Sequence, residues 1–144
     1  MNRFSSNMLL TAALACASCT AWAQARVVAA VPFDFRIPGS HLDAGTYEIR
    51  PTPLSGGYAV TFRNLQTNRS VIAYARQDVA GRPGDLGVDP MLNFRCSDAG
   101  CWLAQVVTGY GRNACALPKP PEAKPVKSEV TTVAIRGNFP NTAR

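Results

Sequence analysis

Between Val31 and Ile37 the chain alternates: Val31, Phe33, Phe35 and Ile37 are apolar, and Pro32, Asp34 and Arg36 stand between them. A period of two belongs to a β-strand with one buried face. Pro38-Gly39-Ser40 breaks the run. Leu42-Asp43-Ala44-Gly45 then leads into a second one, with Tyr47 and Ile49 facing opposite to Thr46, Glu48 and Arg50. The pattern places a first strand over Arg26 to Ile37, with Pro32 at an edge or bulge because it has no amide to give a ladder. The second strand is Tyr47 to Pro51. Thr52 to Gly57 is a turn with two glycines able to take positive φ. Tyr58 to Arg63 and Ser70 to Arg76 flank a loop, Asn64 to Arg69, and read as a hairpin. Met91 to Cys96 and Cys101 to Thr108 read as another. In its second strand Trp102, Ala104 and Val106 share one face, and Leu103, Gln105 and Val107 the other. Both faces are mostly apolar, which predicts the most buried strand of the fold. Val130 to Ile135 is the last strand. The expected fold class is all-β, a small antiparallel sandwich or barrel of about seven strands.

The rest of the pattern sets the organisation. Residues 1–25 read as a Sec signal peptide: Arg3 is the positive start, and Met8 to Ala17 is an apolar core too short to span a bilayer. Cleavage is expected after Ala23 or Ala25, each the end of a small-x-small triplet. Lipid anchoring through Cys16 or Cys19 is the lesser option, since neither follows a good Leu-small-small lead. The remaining residues, about 120, suit one domain, residues 26–136. Gln77 to Pro90 is an exposed loop rich in Gly, Pro and Asp. Pro118 to Lys127 is a proline- and lysine-rich connector in polyproline II, crossing the surface or projecting from it. Residues 137–144 are expected to form a flexible tail.

Several of these segments also resemble a family of small, uncharacterised secreted bacterial proteins. The likeness lies in Val31-Pro32-Phe33-Asp34-Phe35 and in Leu42-Asp43-Ala44-Gly45-Thr46-Tyr47-Glu48-Ile49. It continues in Leu92-Asn93-Phe94 with Trp102 to Val106, and in Gly111-Arg112 with Leu117-Pro118-Lys119. The resemblance implies a signal peptide followed by an all-β domain, and no assigned activity. The chain departs from the family at Cys96 to Cys101, where a polar-aromatic hairpin tip is usual, and in its proline-rich segment.

Charge and chemistry narrow the function. The chain of 144 residues carries a net charge of +6, and its basic residues are mostly Arg. They are scattered singly along the strands, as at Arg36, Arg50, Arg63, Arg76 and Arg95, which is first the pattern of a solvated face. An exported basic protein meets acidic envelope polymers; no nucleic acid partner is expected. Of the five cysteines, Cys96, Cys101 and Cys115 remain after the signal. Cys96 and Cys101 flank a four-residue turn and face each other across a hairpin, so their disulfide is predicted in an oxidising compartment. Pairing of Cys115 with either one is the alternative. Those cysteines with His41 match no zinc spacing, and Asp78, Asp85 and Asp89 lack the tight alternation and closing glutamate of a calcium loop. His41 has no nucleophile elbow near it. Asp34 and Glu48 flank its loop and form the one carboxylate pair a hydrolase reading has. No cofactor motif appears.

The reading is an exported, periplasmic or secreted, non-catalytic structural or binding module. Its expected partner is an acidic surface polymer, or an envelope protein reached through the proline segment. The alternative is a small-ligand carrier with a cavity lined by Phe33, Phe35, Tyr47, Phe62, Phe94 and Trp102.

Overall fold

The computed structural model describes residues 25–81, 89–109, 113–121 and 131–139. The signal-peptide reading apart from Ala25, Asp85, residues 122–127 of the connector and residues 140–144 of the tail lie outside them. Ten strands are present among the described residues, and no helix. They are β1 (Val27–Val31), β2 (Phe35–Ile37), β3 (Ser40–Leu42), β4 (Gly45–Leu54) and β5 (Gly57–Asn64), then β6 (Ser70–Val79), β7 (Met91–Ser97), β8 (Gly100–Val107), β9 (Asn113–Ala116) and β10 (Thr131–Arg136). The all-β class stands. The count exceeds about seven because the first expected strand divides and two short strands, β3 and β9, join it.

The strands form one mixed sheet in the order β1-β4-β5-β6-β9-β8-β2-β3, with β7 paired to both β8 and β10. The expected all-antiparallel arrangement is corrected at one place: β2 runs parallel to β8, Phe35 opposite Cys101 and Arg36 opposite Trp102. The cause is local. Pro32 cannot donate to a ladder, and the chain leaves β1 there, bends at Phe33 and re-enters on another part of the sheet. The sheet is not closed into a barrel. One bridge links its ends: Val28 and Asn138 exchange backbone hydrogen bonds of 2.8 and 2.7 Å. Gly137, assigned with Asn138 to the tail by the sequence, donates to the Pro90 carbonyl at 2.8 Å.

Turn chemistry explains the local joins. Pro38-Gly39 links β2 and β3, the proline presetting negative φ and Gly39 taking φ 78°. Gly56 (φ 91°) closes the two-residue turn between β4 and β5. The loop after β5 is held by Asn64, whose side-chain oxygen accepts from the amides of Gln66 (2.8 Å) and Thr67 (3.0 Å).

One core receives apolar side chains from both parts of the sheet: Val27, Ile49, Val60 and Phe62 from one, Phe35, Ile37, Leu92, Phe94 and Leu103 from the other. Its centre is aromatic. Phe35 meets Tyr47 and Phe94 edge to face, with ring centroids 5.5 and 5.2 Å apart, and Phe33 meets Phe94 at 5.1 Å. These orientations set ring edges against ring faces.

A candidate binding groove on the outer face

The site arises from a one-residue irregularity in β8. Asn93 pairs with Gln105 and Phe94 with Leu103, so Ala104 has no partner on β7. A bulge of this kind re-phases the strand. Leu103 and Val106, three positions apart, both reach full burial, and Trp102 and Gln105 turn to the outer face. This corrects the expected faces: Trp102 and Val106 do not share one. The Ala104 carbonyl is taken instead by the Leu117 amide at 2.9 Å, which seats the start of the proline segment along β8. The described part of that segment therefore crosses the surface, with Pro120 buried.

An open groove of about 700 Å³ lies on this face, lined by Asn93, Arg95, Trp102, Gln105, Lys119 and Thr132 among others. Register arranges its contents and sets Arg36 beside it. Thr132 pairs with Arg95, Arg95 with Trp102, and Trp102 with Arg36. Directly paired residues point to the same face, so Trp102 is flanked across the strands by Arg36 and Arg95. The Lys119 ammonium lies 5.2 Å from the centre of the indole ring, a cation–π distance. Beside this row runs a chain of polar groups. Asn93 Nδ2 donates to Gln105 Oε1 at 2.8 Å, and Gln105 Nε2 donates to Asp78 Oδ2 at 2.7 Å. Asp78 Oδ1 accepts from the Val79 amide at 2.8 Å. Among the described residues the one ion pair is Arg50 with Glu48, so no carboxylate there is paired with Arg36, Arg95 or Lys119.

The other candidate residues fall elsewhere. Cys96 and Cys101 are joined in a disulfide, with Cα atoms 4.0 Å apart in the cross-strand register expected of them. Cys115 is free and buried. Burial, with the Asp78 charge second, pushes its thiol up to about 11, which disfavours the reactive thiolate at neutral pH. Of the six aromatics proposed to line a cavity, Phe35, Tyr47, Phe62 and Phe94 are core residues and Phe33 packs against that core. Trp102 belongs to the outer groove.

The structure gives the two hydrolase carboxylates different partners. Glu48 is paired with Arg50, and Asp34 sits with His41 and Asp43, the donor atoms of these three lying within 4.8 Å of one another. Among the described residues this trio is the set whose donors converge enough to hold a metal ion. All three are exposed, and Asp34 Oδ1 already accepts from the Ala44 amide at 2.8 Å. Sequence reasoning passed over it because Asp34 and His41 meet only through the β2–β3 turn.

It also passed over the groove as a unit. The alternation marked each strand, but the row Arg36-Trp102-Arg95 exists only through a parallel pairing and a bulge. Compared with known proteins, the chain matches no family model, no curated protein and no solved structure.

Proposed function

We propose that the protein is an exported, non-catalytic binding module that takes an acidic surface polymer on the outer-face groove. The observation that carries the reading is the groove's Trp102 and Arg95 with Lys119 above the indole, continued on the next strand by Arg36 beside the groove, these side chains partly or fully exposed and their cations unpaired with any described carboxylate. Aromatic surface flanked by cations binds a flexible anionic chain through many weak contacts, and such binding is salt-dependent. The net charge of +6 adds a longer-range attraction. The two parts of the sheet serve as a sandwich-like scaffold, their inner faces closed on the aromatic core. That edge-to-face core favours a solid interior over the alternative carrier. The disulfide next to the Arg95–Trp102 pair fits an oxidising compartment outside the cytoplasm.

The test is retention on an immobilised acidic polysaccharide. The full chain should elute at higher salt than an uncharged control protein, and Arg95→Gln with Lys119→Gln should move it back toward the control. Elution with the control would end the proposal.

A further inference from the structure

We infer that the groove's ligand is an unsulfated polysaccharide whose charge is one carboxylate on every second sugar; the inference rests on the acidic-polymer reading above. Spacing is the first argument. Arg36, Trp102 and Arg95 occupy three neighbouring strands in register. Neighbouring strands are about 4.8 Å apart, which puts the two arginines about 10 Å apart with the indole midway. One residue of an extended polysaccharide is about as long as one strand spacing. A sugar packed against Trp102 beside Lys119 therefore carries its two neighbours toward Arg36 and Arg95, where carboxylates two sugars apart meet one guanidinium each. The planar fork of arginine suits a carboxylate bidentately.

The polar groups supply the second argument. Asn93 and Gln105 each use part of their amide in the chain that ends on Asp78, and each retains further donor or acceptor capacity. Amides of this kind, with the Thr132 hydroxyl, match sugar hydroxyl and acetamido groups. The acids on this face also shape the choice. Asp78 lies in the groove, and Asp34 and Asp43 lie around His41, which pairs with Arg36. A densely charged strand would meet these carboxylates as well as the arginines. A duplex nucleic acid, with a charge per about 1.7 Å, is far denser than this row of cations.

The experiment is calorimetric titration of the full chain with four probes: a hyaluronan oligosaccharide, its carboxyl-reduced counterpart, heparin and single-stranded oligo-dT. The first should bind, and the second at least tenfold more weakly. Trp102→Ala and Arg95→Gln should each weaken hyaluronan binding tenfold or more. Trp102→Phe should restore most of it, and Arg69→Gln, on an exposed loop, should leave it unchanged. Equal urea midpoints for the variants exclude unfolding as the cause. Tighter binding of heparin, which adds sulfates to the same alternating uronate, with no loss in Trp102→Ala, would overturn the inference of an unsulfated ligand and leave the acidic-polymer reading standing. Preference for oligo-dT, or no binding by any anionic probe, would overturn both.

Discussion

Deleting one residue from the middle of a strand normally turns half of its side chains to the wrong face. Ala104 should be an exception. It has no partner on β7, and Leu103 and Gln105 already face successive residues, Phe94 and Asn93. Removing it leaves Leu103, Gln105 and Val106 in plain alternation with both apolar residues inward. The deletion also takes away the hydrogen bond from the Leu117 amide to the Ala104 carbonyl, worth about 1 kcal/mol. The expected cost is therefore about 1–2 kcal/mol. Thr61 in β5 is the comparison, because it pairs continuously with Arg50 and Ile72. Its deletion forces out either Val60 or Phe62, which are 0% and 1% exposed, together with the apolar residues beyond. At about 1.5–3 kcal/mol per apolar side chain, the loss is on the order of 4–6 kcal/mol, enough to unfold many small domains. Urea denaturation followed by tryptophan fluorescence compares the two. Equal destabilisation by both deletions would refute the bulge assignment, and with it the reason Trp102 faces outward.

Three further outcomes are expected. Phe94→Ala removes a fully buried ring with two edge-to-face partners and should cost about 3–5 kcal/mol in urea denaturation. Gly57→Ala would place its Cβ 2.5 Å from the Ala75 carbonyl oxygen; backbone cannot yield as a side chain does, and a loss of about 1–3 kcal/mol is expected in the same assay. Cys115, with its thiol pushed up to about 11 from 9.0, should resist iodoacetamide at pH 8, when about one thiol in a thousand is ionised. Because folding raises this pKa, the neutral thiol's contribution is complete below about 9 and lost as pH rises toward 11. Cys115→Ala should flatten thermal stability across that window.

What was legible in the sequence was whatever depends on one strand at a time. Alternation at Phe33, Phe35, Tyr47 and Phe62 located the core, and the spacing of Cys96 and Cys101 located their disulfide, because a hairpin brings near neighbours together. β9 was not legible: Asn113-Ala114-Cys115-Ala116 is short and small, and its place is set by the edges of β6 and β8. The outward turn of Trp102 was misread because a bulge leaves no mark on composition. A one-residue phase change inverts a period of two. The parallel pairing that puts Arg36 beside Trp102 joins segments far apart along the chain, beyond the range of any local pattern.

That pairing has a consequence for the order in which the protein folds. Phe35 lies opposite Cys101, 66 positions later in the chain. β2 therefore docks on β8 only after that long loop closes, while β4, β5 and β6, each paired to the next, assemble through short turns. During that interval Phe35 and Ile37, both 1% exposed in the finished fold, have only β3 as a paired neighbour. The folding chain is thus most open to helper proteins, and to self-association, at the β2–β3 hairpin.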